Sequence, residues 1–205
     1  DAISKNNGIH SEGQLEGFAE IKYAGNDLEK VVSKADLIFV VGPAYSTEVF
    51  GKSVKPYLEK GQVVIVCPSS CGGSIVFKNA LGKKIEDEEY ILAETSTLPY
   101  AVRIMEPGSI HIYLKLKGGL LLAALPSKYT LNVYNMVKEV YPCMVPVKNV
   151  FQTTLQNANP IIHPAITILN TGLLERTKGD FCFYEEGVTT VVGKLIEGMD
   201  TERIA

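Results

Sequence analysis

Two runs of five consecutive apolar residues limit most strongly what this chain can fold into. They are Leu37–Val41 and Val63–Cys67, and each is followed directly by a turn rich in glycine, proline or serine. Strands that are apolar on both faces are typical of parallel sheets covered by helices. Helical patterns separate these runs from each other and from a third strand at Tyr90–Glu94. The order βαβαβ predicts an α/β fold with a doubly wound sheet.

The composition indicates an ordinary globular protein. Of the 205 residues, 46% are hydrophobic and 21% are charged, and the net charge is -3. This charge gives no reason to expect nucleic acid as a partner. No apolar run approaches the length of a membrane span, so no membrane association is expected. The four cysteines form no CxxC pair and no histidine stands at zinc spacing, which predicts no metal site and reduced thiols in a cytoplasmic protein.

The pattern changes in the second half of the chain. Ile110–Leu116 alternates between apolar and polar residues, and a pair of glycines then leads into Leu120–Leu125. This predicts an antiparallel hairpin added to the sheet. Residues 1–17 are polar and punctuated by glycine, and are predicted to be a helix tail and a loop. We predict a first domain over 1–145 and the start of an all-α second domain over 146–205.

The segment Val150–Leu174 is predicted to be one long helix, bent at Pro160 and Pro164 because proline supplies no backbone N–H. Its polar side chains carry no charge, whereas a solvated helix face normally carries Lys and Glu. Uncharged polar groups on one face suggest partly buried side chains with specific partners. The alternative is a kinked core helix with a satisfied histidine. The predicted apolar stripe is Phe151, Leu155, Ile162, Ile166 and Leu169, and the polar stripe is Gln152, Gln156, Asn159, His163, Thr167 and Asn170.

Three loops follow the predicted parallel strands. They are Gly42–Tyr45, Pro68–Gly73 and Thr95–Tyr100, and none contains Lys or Asp. In open α/β sheets, ligands bind outside the carboxyl ends of the strands. The hydroxyls and backbone N–H groups of these loops suit a polar ligand or a pyrophosphate, although ordinary turn chemistry explains them equally well. Cys71 has no nearby base in sequence and is interpreted as a packed or ligand-contacting thiol rather than a nucleophile.

Several segments, taken in order, resemble one enzyme family. The runs ADLIFVVGPA, CPSSCGGSIVF and ETSTLPYAVRI are followed by LQNANPIIHPAITILNTG and FYEEGVTTVVGKLIEGMDTERIA. This series is similar to the NAD(P)-dependent opine dehydrogenases of the octopine/nopaline dehydrogenase family, and it covers nearly the whole chain. The resemblance implies a Rossmann-like first domain and a helical domain like that of 6-phosphogluconate dehydrogenase.

The resemblance also implies a reaction. An amino acid and a 2-oxo acid condense to an imine, which is reduced with NADH or NADPH. The histidine of the family's His-Pro motif falls on His163, where it exchanges a proton with the carbonyl or carbinolamine oxygen. No residue of this chain matches the acidic partner of the family's histidine. The resemblance implies substrate-binding roles for Asn159, Thr97, Ser70 and Cys71, and cofactor-binding roles for Gly42, Pro43, Ala44 and Ser69.

The chain departs from the family at its start, because no GxGxxG loop is present. That loop belongs to a unit of about 30 residues, and we expect the chain to begin just after it. Related reductases that act on ketopantoate or glycerol 3-phosphate place a lysine where this chain has its Asn/His stripe. No lysine lies between Lys148 and Lys178, which disfavours them. A non-catalytic nucleotide-sensing module remains a second alternative, and a homodimer remains open.

Overall fold

A computed structural model describes residues 2–205 and divides the chain into two compact units. The first unit ends at Thr154 and the second covers Leu155–Ala205. The predicted domain boundary after residue 145 lies before the last helix of the first unit and stays a prediction. The helices are α1 Ala2–Asn6, α2 Leu28–Val32, α3 Thr47–Val54, α4 Gly73–Ala80, α5 Thr130–Val137, α6 Val150–Leu155, α7 Asn159–Leu169, α8 Thr171–Thr177 and α9 Thr190–Ile204.

The first unit contains two sheets. The strands are β1 Gly8–Gly13, β2 Gly17–Glu20, β3 Leu37–Val40, β4 Val63–Val66, β5 Ile91–Thr95, β6 Tyr100–Glu106, β7 Ser109–Lys115, β8 Leu120–Leu125 and β9 Met144–Pro146. The larger sheet has five strands in the order β3-β4-β5-β8-β9, and the smaller has four in the order β2-β1-β7-β6. Strands β3, β4 and β5 are parallel, as predicted from the apolar runs of β3 and β4 and from the alternation of strands with helices.

The larger sheet is buried on both faces. Along β4, Val64 and Val66 belong to one core cluster, together with Phe77 of α4. Ile65 belongs to the cluster on the opposite face, together with Val133 of α5. Successive side chains of a strand point to opposite faces, so a strand between two helical layers has to be apolar at every position. The predicted α/β, Rossmann-like fold is confirmed.

The predicted hairpin was wrong. Ile110–Leu116 and Leu120–Leu125 do not pair, since β7 belongs to the smaller sheet and β8 to the larger one. The actual hairpin joins β6 to β7 around Gly108, whose φ of +88° suits glycine. The sequence LLLAAL of β8 is almost completely buried, whereas β7 is largely exposed beyond Ile112. The glycine pair at Gly118-Gly119 therefore carries the chain from one sheet to the other.

The start of the chain agrees with the predicted helix tail, since α1 covers Ala2–Asn6, but differs from the predicted loop. Strand β1 follows α1 and pairs with β2 on one side and with β7 on the other. The sequence GIHSEG of β1 has glycine at both ends and few residues that favour strands, so local propensity gave no signal for it.

The single long helix predicted over Val150–Leu174 is instead three helices, α6, α7 and α8. The side chain of Asn157 accepts a hydrogen bond from the backbone N–H of Asn159 (3.0 Å), where α7 begins. Pro160 lies in the first turn of α7, where its missing N–H costs little, and α7 continues through Pro164. Asn159 and His163, which directly precede the two prolines, are both helical.

The predicted apolar stripe was also partly wrong. Ile166 is fully buried, as expected, but Ile161 and Ala165 are buried beside it. Phe151, Leu155 and Leu169 are 64%, 52% and 48% exposed. The stripe assumed one continuous helix. Because the helix is interrupted at residues 156–158, residues before and after the interruption no longer share one face.

Candidate active site

The carboxyl ends of the three parallel strands place the predicted loops along one edge of the larger sheet. The backbone N–H of Cys67, just after β4, donates to the carbonyl of Val40 at the end of β3 (2.9 Å). The backbone N–H of Ser69 donates to the carbonyl of Thr95 at the end of β5 (2.9 Å). The hydrogen bonding between neighbouring strands therefore continues into the loops and brings them side by side in the first unit.

The loop after β4 has an unusual backbone. Ser70, Cys71 and Gly72 have φ values of +54°, +112° and +67° in succession. Positive φ is uncommon for residues other than glycine and costs free energy. The two non-glycine residues, Ser70 and Cys71, are the predicted substrate contacts. Ser70 is half-buried and Cys71 is exposed.

Hydrogen bonds within the first unit already occupy the N–H groups that follow this turn. Gly72 N donates to Thr154 Oγ1 (2.9 Å), Gly73 N to Ser69 Oγ (3.0 Å) and Ser74 N to Glu94 Oε2 (3.0 Å). A phosphate at a helix N-terminus needs such N–H groups to be free. The start of α4 is therefore unsuited to a pyrophosphate. The hydroxyl of Ser69 is buried and shapes the loop, and its predicted contact with a cofactor stays a prediction.

The loop after β3 suits a cofactor better. Within residues 2–205, no hydrogen bond uses the backbone N–H of Ala44 or Tyr45, where a short 3₁₀ helix leads into α3. A Cβ added to Gly42 would lie 2.6 Å from Ser46 Oγ, so a side chain would clash here. Gly42 can therefore present a close backbone to an anionic ligand, and Ala44 and Tyr45 can present two free N–H groups.

Thr97 lies just beyond β5 and is half-buried. Its carbonyl accepts a hydrogen bond from Thr95 Oγ1 (2.8 Å), and the Cys67 thiol lies 3.9 Å from the same oxygen. Burial raises the pKa of the Cys67 thiol, so this group stays protonated at neutral pH. The Thr97 hydroxyl has no partner among the described residues and is available to a ligand.

In the second unit, Asn159 and His163 lie four residues apart on α7 and share one face of that helix. Nε2 of His163 is 2.8 Å from the hydroxyl of Tyr184, and the imidazole meets the ring of Phe183 edge-on at 5.9 Å. The side-chain amide of Asn170 donates to the carbonyls of Ile166 (2.8 Å) and Gly187 (2.9 Å). This ties the aromatic segment 181–187 to α7.

Sequence reasoning missed two residues of these sites. Tyr184 was assigned no role from the sequence, although its hydroxyl contacts His163. Glu94 was treated as the end of a strand, although its side chain is fully buried beside the loop after β4. A carboxylate within an otherwise apolar buried strand is a signal in itself, because it needs hydrogen-bonding partners.

No helix within residues 2–205 is both long and apolar enough to cross a membrane. No cluster of three or more His, Cys, Asp or Glu side chains in the same range is arranged to hold a metal ion.

Comparisons with known proteins show which family the chain resembles. Residues 146–205 match a family model described as "NAD/NADP octopine/nopaline dehydrogenase, alpha-helical domain". An opine dehydrogenase from Arthrobacter sp. (strain 1C) is 32% identical over 204 residues, which is 99% of this chain and 56% of that protein. The chain is similar to the opine dehydrogenases. The predicted resemblance is confirmed, and the matched helical segment contains both Asn159 and His163.

Solved structures of relatives show the same fold. An octopine dehydrogenase structure with NADH and pyruvate has a TM-score of 0.69 at 20% identity, covering 94% of this chain and 51% of that one. A ketopantoate reductase from Ralstonia eutropha JMP134 has a TM-score of 0.66 at 17% identity, covering 99% of this chain and 61% of that one. The chain thus spans about half the length of the opine dehydrogenases that it matches.

Proposed function

We propose that this chain belongs to an NAD(P)H-dependent opine dehydrogenase, which condenses an amino acid with a 2-oxo acid and reduces the resulting imine. The observation that carries the proposal is the match of residues 146–205 to the helical domain of that family, since this segment contains His163 and Asn159. A pairing of the amino acid with pyruvate is our first choice, because an octopine dehydrogenase relative has been solved with pyruvate and NADH.

The proposed roles follow from the chemistry of each group. His163 exchanges a proton with the carbonyl or carbinolamine oxygen, a task suited to imidazole. Asn159, on the same face of α7, positions the substrate. Ser70, Cys71 and Thr97 contact the amino acid, and Gly42, Pro43 and Ala44 contact the cofactor. The cofactor supplies the hydride when it is bound, and the chain supplies binding, orientation and the proton.

The description of the matched family includes both NAD and NADP, and either cofactor is compatible with the proposal. The free thiols of the four cysteines favour a cytoplasmic location. A homodimer stays a prediction. A reductase of the ketopantoate type has a similar fold, but the absence of lysine between Lys148 and Lys178 disfavours it.

The test uses the full-length protein. Oxidation of NADH or NADPH is followed with pyruvate and a panel of amino acids, and the product is identified by mass spectrometry. We expect cofactor oxidation only when both organic substrates are present, and a secondary amine carrying both carboxylates. Oxidation with a 2-oxo acid alone would favour a simple oxo-acid reductase. Cofactor binding without turnover on any pair would favour the nucleotide-sensing module.

A further inference from the structure

Glu94 is a fully buried carboxylate at the end of β5, beside the loop that follows β4. Among residues 2–205, none of the ion pairs involves it. Burying a carboxylate without a cation is unfavourable unless hydrogen bonds replace its hydration shell. The arrangement around Glu94 therefore has to supply those bonds.

Four donors surround the two carboxylate oxygens. Oε2 accepts from the backbone N–H (3.0 Å) and the hydroxyl (2.6 Å) of Ser74, in the first turn of α4. Oε1 accepts from the hydroxyls of Thr153 and Thr154 in α6, the latter at 3.3 Å. One side chain thus connects the end of β5 with the start of α4 and with α6. All of these groups lie within the first unit.

The same network continues into the strained turn. Thr154 Oγ1, which donates to Glu94, also accepts the hydrogen bond from Gly72 N (2.9 Å). Ser70, Cys71 and Gly72 all have positive φ, and such a backbone persists only where surrounding contacts hold it. The turn is held at its downstream end by Thr154 and Ser74, both of which are bonded to Glu94.

We propose that Glu94 is a positioning residue, which holds the Ser70–Cys71 turn in the shape that binds the amino-acid substrate. The Glu94 side chain has a second consequence, because it occupies the N–H of Ser74 at the N-terminus of α4, where a free anion would otherwise bind. The start of α4 is thereby unsuited to a phosphate. The identity of the amino-acid ligand rests on the proposed function, whereas the holding of the turn does not.

The first experiment measures the turn itself in the folded protein. Amide hydrogen exchange is followed by NMR in wild type, Glu94→Ala and Thr154→Val, with Glu88→Gln as the control. Glu88 is an exposed carboxylate that bonds to Lys128 and Tyr129, outside this network. We expect exchange at Gly72 to be at least roughly tenfold faster in Thr154→Val, and exchange at Ser74 to be faster by a similar factor in Glu94→Ala, because each amide loses its acceptor.

The second experiment measures kinetics in the full-length protein. Glu94→Gln keeps the shape of the side chain but removes its charge and one acceptor. We expect the KM for the amino acid to rise roughly tenfold in Glu94→Gln and in Thr154→Val, with the KM for NAD(P)H within about twofold of wild type. Glu88→Gln should match wild type in both constants.

Three results would overturn the proposal. One is exchange at Gly72 and Ser74 that stays at the wild-type rate in the variants, and another is an unchanged KM for the amino acid. The third is a fall in kcat together with equal changes in the KM values for the amino acid and for NAD(P)H, in parallel with a lower melting temperature. That result would indicate a purely structural role. If the wild-type protein turns over no pair of substrates, the proposed function fails, and the exchange experiment still decides whether Glu94 holds the turn.

Discussion

The hydroxyl of Tyr184 lies 2.8 Å from Nε2 of His163. Hydrogen bonding to one ring nitrogen of a histidine determines its orientation and its tautomer, and so determines which nitrogen is left for other partners. In this chain the other nitrogen, Nδ1, has no partner among the described residues. If the phenol donates to Nε2, then Nδ1 carries the proton that the imidazole can deliver.

Tyr184→Phe tests this relationship. The substitution removes one hydroxyl and leaves the aromatic packing against Phe183 in place. We expect a change in the ¹⁵N chemical shifts of the His163 ring, because the tautomer loses its restraint, and turnover reduced by several-fold, equivalent to about 1 kcal/mol. The ring of His111, whose Nδ1 is 3.0 Å from Glu12, is an internal control and should not change. Unchanged His163 shifts would show that the contact has no influence on the imidazole.

His163→Ala tests the proposed proton transfer in the full-length enzyme. General acid–base assistance contributes about 10²–10⁴-fold to a rate, so turnover should fall within that range while cofactor affinity stays close to wild type. His163→Asn, which retains hydrogen bonding but cannot titrate, should be similarly slow. A residue with only a packing role would instead lower the melting temperature and leave the rate of the folded enzyme unchanged. Measuring both quantities on one preparation separates the two roles.

Thr97→Ala is expected to affect substrate binding and not folding. The structural bonds near Thr97 are made by its carbonyl, whereas its hydroxyl has no partner among the described residues. Loss of one hydroxyl contact with the substrate costs on the order of 1 kcal/mol, which is about a fivefold rise in KM with little change in melting temperature. Thr95→Val is the matched variant, since its hydroxyl is buried and bonded to the carbonyl of Thr97, and it should lower stability instead.

The features that were predictable from sequence are those with local physical causes. A strand between two helical layers has to be apolar at every position, so β3 and β4 were recognisable without knowledge of their partners. The choice of partner is not local, which is why β7 and β8 were wrongly joined across Gly118-Gly119. Their separation into two sheets depends on burial, and the glycine turn alone does not determine it.

The contacts within the sites were also hard to predict, because they are not visible in local sequence patterns. The predicted long helix ends where the side chain of Asn157 binds the N–H of Asn159, a contact that hydrophobic periodicity does not detect. Glu94 could have been singled out as a charge in a buried strand, but its partner Thr153 lies 59 residues further along the chain. Tyr184 lies 21 residues from His163, and only the folded segment 181–187 brings the two together.

The two exposed cysteines allow a direct test of the site on the sheet edge. Cys71 and Cys182 are exposed, whereas Cys67 and Cys143 are buried. Burial raises the pKa of the Cys67 thiol, so in the native protein this group stays protonated at neutral pH. Because the reagent needs access to the sulfur and only the thiolate is alkylated, iodoacetamide should modify the exposed Cys71 and Cys182, and should leave Cys67 unmodified until the protein unfolds.

Substrate protection then tests the role proposed for Cys71. With NAD(P)H and a saturating amino acid present, labelling of Cys71 in the full-length protein should slow by at least roughly tenfold, since a bound ligand covers the Ser70–Cys71 turn. Cys182 is equally a free, exposed thiol, but it has no proposed contact with substrate, so its labelling should continue at the same rate. Comparing the two sites by mass spectrometry corrects for any effect of the ligands on the reagent. Equal labelling of Cys71 with and without the amino acid, at concentrations that saturate turnover, would place the substrate away from this turn.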